Sequence, residues 1–128
     1  MTGSTICALD PGVLGRLGHD LDDARFAHDL AVRYRSMLTG RVRRVEQALR
    51  GDDHAETIEA VLSLKASSGT IGACELVAVA TELEQAVRRL DLGSAIASGL
   101  QLGPAAARAD QALAAYLAES ETQPASIR

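Results

Sequence analysis

The chain has 128 residues, two cysteines and a formal net charge of −4, and 47% of its residues are hydrophobic. Such a length suits one domain with its own core, without a disulfide or metal staple. The hydrophobic share excludes a disordered chain, and the acidic balance argues against a nucleic-acid partner.

No window holds the ~18 apolar residues of a membrane span. Residues 1–10 lack the basic start and apolar run of a signal peptide. A cytoplasmic protein with no membrane partner is expected. Cys7 and Cys74 form no CxxC pair and have no histidine at ligand spacing, so they read as reduced thiols, and no metal or cofactor is expected. With no Trp, one Phe and two Tyr, the core must be aliphatic.

Asp10-Pro11 opens the first element, since Asp caps free N–H groups and Pro suits the first helical position. Val13, Leu14 and Leu17 form its short apolar face, and Gly18 ends it. Asp22 and Asp23 open a second helix. Its apolar stripe runs Phe26, Leu30, Tyr34, Met37 or Leu38, Val42, Val45, Leu49. Gly40 weakens that helix by roughly 1 kcal/mol relative to Ala and marks a candidate kink; Gly51 is the stop. Asp53 with Glu56 makes a capping-box-like start for the third helix, which runs through Ile58, Val61, Leu64 and Ser68 to Gly72. The fourth carries Leu76, Ala80, Leu83, Val87 and Leu90 at alternating spacings of four and three, with Gly93 as its stop. Residues 94–103 are softer. Pro104 opens a fifth helix with Ala105, Ala109, Leu113, Tyr116 and Leu117, and a polar tail follows Glu119. No segment alternates like a strand. The expected fold is all-α: an antiparallel four-helix bundle with a short extra N-terminal helix, in a single domain over residues 1–128 whose ordered core spans about 10–119.

The third helix has two apolar faces. At about 100° per residue, Thr57, Val61, Leu64, Ser68 and Ile71 cluster on the core side. Ile58, Leu62, Lys65, Gly69 and Gly72 form a second face, with Ala66 at its edge. A solvated face normally carries Glu, Lys, Gln or Arg. This one carries aliphatics, one lysine and small residues. Packing on a neighbouring helix is the plain explanation, and close approach of another molecule the alternative.

The run Leu62-Ser63-Leu64-Lys65-Ala66-Ser67-Ser68-Gly69-Thr70-Ile71-Gly72-Ala73 resembles the motif of histidine phosphotransfer (HPt) domains, which reads His-x-Leu-Lys-Gly, then small residues, then Gly-Ala. Upstream, residues 14–26 resemble the family's leucine-rich first helix and Asp-x-x-Phe opening. Downstream, Leu76-x6-Leu83-Glu84 resembles its next helix. The similarity spans roughly residues 13–90. It implies a four-helix bundle that exchanges a phosphoryl group with the aspartate of a receiver domain. The implied partner is a receiver of a response regulator or hybrid kinase. The implied docking face is Ile58, Leu62, Lys65, Ala66, Gly69 and Gly72, with Lys65 beside the phosphate and able to attract an anionic partner.

Two residues depart from the pattern: Leu62 stands at the histidine position and Ala66 at the glycine. Leucine has no nucleophilic nitrogen and cannot hold a phosphoryl group. The expectation is therefore a pseudo-HPt domain of a two-component phosphorelay, not an enzyme. Two alternatives stand beside it. His54 lies on the same side of the helix as Leu62, ~12 Å away along the axis and near a helix N-terminus that favours phosphate; it is the alternative phosphoacceptor. Alternatively, the Ile58–Leu62 patch pairs two copies of a structural bundle. A monomer or weak homodimer is expected.

Other candidates carry less. His19 and His28 read as surface residues. Arg33, Arg35, Arg41, Arg43, Arg44 and Arg50 form a basic stretch that fits a solvated helix face or an acidic partner, and no aromatic stacking platform accompanies it for nucleic acid. Ser67, Ser68 and Thr70 lack a positioned base and are no nucleophiles.

Overall fold

The computed structural model describes residues 7–20 and 24–122. It contains α1 (Pro11–Asp20), α2 (Ala24–Arg50), α3 (His54–Ile71), α4 (Cys74–Arg88) and α5 (Leu92–Thr122), with no strand among the described residues. The expected Asp22–Asp23 helix start, the His19 side chain and the end of the tail lie outside what is described. The four long helices form an antiparallel bundle: α2 packs on α3, α3 on α4, α4 on α5, and α5 back on α2. The short α1 lies against α2 and α3. In this ring α3 and α5 are diagonal.

One device makes all three tight links. A helix ends with a residue in the left-handed region, and the next N–H reaches back into the last turn. Asp53 N donates to the Ala48 carbonyl after Asp52 (φ 56°). Ala73 N donates to the Ser68 carbonyl after Gly72 (φ 86°), and Asp91 N donates to the Ala86 carbonyl after Leu90 (φ 59°). Two of the next helices are capped at once: Asp53 Oδ1 accepts from Glu56 N at 3.0 Å, and Asp91 Oδ1 from Ser94 N at 3.1 Å. Glycine is required at 72 for a second reason. A Cβ there would lie 2.9 Å from Val13 Cβ and 3.0 Å from the Asp10 carbonyl oxygen. The start of α1 sits directly on this turn, with Asp10 N donating to the Gly72 carbonyl at 2.8 Å.

The core is aliphatic. Leu14, Val45, Val61, Leu64, Ile71, Leu76, Leu83, Leu102 and Leu113 are fully buried. Tyr34 is the buried aromatic, its hydroxyl 2.7 Å from Ser68 Oγ. Burial of a hydroxyl is costly unless it is bonded, and this pair satisfies both members. Burial also raises the Tyr34 phenol pKa.

Several helix expectations are corrected. α5 begins at Leu92, not at Pro104, and Pro104 lies inside it. The Asp91 cap starts the helix early, and buried Ala95, Leu102, Ala105 and Ala109 hold one continuous face across the exposed proline. α4 stops at the Leu90 turn before Gly93, leaving Leu90 79% exposed. α1 continues past Gly18 to Asp20, and α2 runs unbroken through Gly40. Phe26 is not core: it is exposed, and Ala27 and Ala31 take the inward positions.

Candidate functional site

The outer face of α3 is built by the helix's own periodicity. Thr57, Ala60, Val61, Leu64, Ser68 and Ile71 are buried, which turns Leu62, Ala66 and Gly69 outward, all three exposed. Leu62 retains 40% of its exposure. Ile58 is half-buried and packs partly on the core. Gly72 does not belong to this face: it is buried under Val13 and Asp10. Wheel arithmetic carries no meaning there, because the chain leaves the helix at that residue in a left-handed conformation.

Both edges of the exposed strip are tied to neighbouring helices. Toward α4, Lys65 Nζ donates to Glu84 Oε1 at 2.9 Å, and Arg88 Nε donates to Glu84 Oε2 at 2.9 Å. The Glu84 side chain is only 14% exposed, and these two donors hold its carboxyl below the usual glutamate range. Lys65 is therefore not the free lure expected of it. The trio of two cations and one carboxylate still leaves one net positive charge beside Leu62. Toward α2, Arg41 Nη1 donates to Ser63 Oγ at 2.6 Å, and Arg41 Nη2 lies 3.8 Å from Met37 Sδ. The Arg41 Nε is buried and has no hydrogen-bond partner.

Glu84, Arg88, Arg41 and Ser63 frame the face, and the sequence reading assigned them no such role. Only the Glu84–Arg88 spacing of four was visible in one helix. Half of the basic stretch on α2 is engaged in cross-helix contacts: Arg35 pairs with Asp110 at 2.7 Å, Arg44 with Glu56 at 2.7 Å, and Arg41 bonds Ser63.

His54 is the first residue of α3, two turns from Leu62. Its Nε2 lies 3.2 Å from the Val87 carbonyl oxygen. A carbonyl only accepts, so Nε2 is the protonated nitrogen and the donor. Around it, Asp52, Asp53 and Asp91 line a cleft of about 180 Å³ together with Leu49, Leu90 and Leu92. Three carboxylates there oppose a phosphoryl dianion more than one helix terminus attracts it. The structure does not bring His54 together with Leu62 and Lys65. His28 is half-buried on α2.

Ser68 is fully buried against Tyr34; Ser67 and Thr70 bond back to carbonyls of their own helix. Cys7 and Cys74 are free thiols, although the Cys7 carbonyl accepts from Glu75 N at 3.1 Å and so brings the two cysteines' segments together. Among the described residues, no three His, Cys, Asp or Glu side chains gather as a metal would need, and no helix is long and apolar enough to cross a membrane.

No family model matches the chain, and no curated protein matches it. Among solved structures it is similar to histidine-containing phosphotransfer protein B (HptB) from Pseudomonas aeruginosa PAO1. The TM-score is 0.78 at 24% identity, covering 88% of this chain and 96% of that one. The likeness establishes a shared helical-bundle fold.

Proposed function

We propose that this chain is an HPt-like domain of a two-component phosphorelay that docks the receiver domain of a response regulator or hybrid kinase through the outer face of α3 and takes no phosphoryl group at position 62. The observation that carries this reading is the exposure of Leu62, 40%, beside the small exposed residues Ala66 and Gly69. The core does not need a leucine there. Burying it under a partner contributes about 1.5–3 kcal/mol.

Ala66 and Gly69 beside it are small and open to close approach, and a Cβ at Gly69 would meet only Val77 Cγ2 at 4.0 Å. The Lys65–Glu84–Arg88 trio offers one net positive charge to an acidic receiver pocket. The bundle likeness to HptB supports the scaffold on which such docking occurs. In this reading His54, whose Nε2 is already bonded to Val87, accepts nothing.

The test pairs binding with intact mass after incubation with phosphorylated receivers, under conditions that preserve phosphohistidine. The parent chain binds a receiver and gains no mass. Leu62→His binds the same receiver and gains one acid-labile phosphoryl group. Leu62→Asp loses binding. A mass gain on the parent chain removes the non-accepting half of the proposal, and absence of binding by any receiver of the source organism removes the docking half.

A further inference from the structure

Arg41 is a cation without a counter-charge. A guanidinium presents its N–H donors in a rigid fork. Here Nη1 donates to Ser63 Oγ at 2.6 Å, Nη2 lies 3.8 Å from the Met37 sulfur, a weak acceptor, and Nε is buried with no hydrogen-bond partner. Among the described residues Arg41 enters no ion pair. The rest of the basic stretch on α2 is placed differently. Arg35 and Arg44 have carboxylate partners, and Arg33, Arg43 and Arg50 are exposed to water. Half-burying a charge costs stability unless a counter-charge or a full set of hydrogen bonds offsets it. The free domain therefore holds Arg41 at a loss.

Its position relates it to the outer face of α3. Ser63 follows Leu62 in the chain, and Met37 is exposed on α2, so Arg41 extends the Leu62 face across the seam between α2 and α3. On the α4 side of that face, Lys65 and Arg88 share the Glu84 carboxylate. On the α2 side Arg41 has no such partner.

We infer that Arg41 is the specificity-determining cation of this face, and that a receiver docked there supplies the missing carboxylate to its Nη1 and Nη2. The inference rests on the receiver-docking reading and adds the residue that selects the partner. A single charge on a planar fork fits the two oxygens of one Asp or Glu side chain. Ser63 is a positioning residue: its hydroxyl holds the fork at the seam before the partner arrives. The stability forgone in the free domain is recovered when the carboxylate docks, and a receiver with an apolar or basic side chain at that point is rejected.

Two measurements test it. Urea unfolding of Arg41→Met needs no partner: the midpoint stays or rises, because the variant removes an uncompensated charge and keeps an apolar stem. A lower midpoint would make Arg41 a structural tie between α2 and α3 and overturn the inference. The second measurement is affinity for the receiver that binds the parent chain. Arg41→Met weakens it about tenfold and flattens its dependence on salt. Arg41→Lys, which keeps the charge and loses the fork, recovers only part of the loss. Ser63→Ala weakens binding in the parent and has no further effect in Arg41→Met. The loss in Arg41→Met is the same for the unmodified receiver and for one loaded with beryllofluoride; a loss confined to the loaded form would assign Arg41 to the phosphoryl group and overturn the carboxylate. Arg41→Met binding as tightly as the parent overturns this inference and leaves docking through Leu62 standing. A parent chain that binds no receiver removes the docking reading, and this inference with it.

Discussion

Lys65 Nζ lies 2.9 Å from Glu84 Oε1, joining α3 to α4 one turn from the exposed Leu62. The bond fixes where the lysine can act: its ammonium is held at the seam, and a partner must either share it with Glu84 or meet the trio as a whole.

This bond makes stability depend on pH. Lys65, and then Arg88, lower the Glu84 pKa from its ordinary value of 4.5. A lowered carboxyl stabilises the fold fully above that ordinary value, and the contribution is lost as pH falls through the lower native value. Urea unfolding followed from pH 7 downward is expected to show an acid loss that Glu84→Gln flattens. The difference at pH 7 is below about 1 kcal/mol, because Lys65 and Arg88 are partly solvated. An unchanged acid limb in Glu84→Gln would refute this account.

The Tyr34–Ser68 pair predicts an asymmetry. Ser68→Ala leaves a buried hydroxyl without its partner and costs about 1–3 kcal/mol. Tyr34→Phe/Ser68→Ala removes both groups and costs less than Ser68→Ala alone. Additive losses in a double-mutant cycle would contradict the coupling.

Leu90 holds a left-handed conformation (φ 59°) where glycine is the usual occupant. That conformation costs a side-chain-bearing residue roughly 1–2 kcal/mol. Leu90→Gly is expected to raise the urea midpoint by the equivalent of about 1 kcal/mol with an unchanged slope. A lower midpoint would mean that Leu90 contributes more to the cleft beside His54 than its backbone costs.

Gly40 lies in the unbroken middle of α2, and a Cβ there meets nothing within 4 Å. Gly40→Ala is therefore expected to stabilise the protein by about 0.5–1 kcal/mol. Thermal unfolding measures the gain, and a loss would show that the added methyl group strains the folded chain, overturning this account.

Leu62→His should leave stability within about 0.5 kcal/mol of the parent, since the side chain is at the surface. A larger loss would mean that Leu62 is held by the bundle and is not available to a partner.

Where periodicity and capping agreed, the elements were legible before the structure. In α3, Asp53 and Glu56 mark the start, and Val61, Leu64, Ser68 and Ile71 mark the buried side. The sequence signal misplaces the start of α5, because proline favours a helix beginning and the Gly/Ser-rich run before it is a soft stretch. The Asp91–Ser94 cap was the available signal, and the burial of Ala95 and Leu102 that carries the helix through Pro104 arises only from packing. Gly72 was placed on the outer face by extending the wheel past the point where the helix ends. The pairing of Lys65 with Glu84 spans 19 residues and two helices, a distance over which no local pattern in the sequence speaks.

The two- to three-residue links bear on how quickly the bundle assembles. Each major interface but one joins helices that follow each other in the chain, and the exception is α2 with α5, bridged by Arg35 and Asp110 across 75 residues. Chains dominated by near-neighbour contacts lose little loop entropy before each contact forms, and fold in microseconds to milliseconds. The hairpins α2–α3 and α3–α4 can form on local contacts, whereas the seam that closes the ring must wait for both ends of the chain. Substitutions there, such as Asp110→Ala, should therefore speed unfolding more than they slow folding.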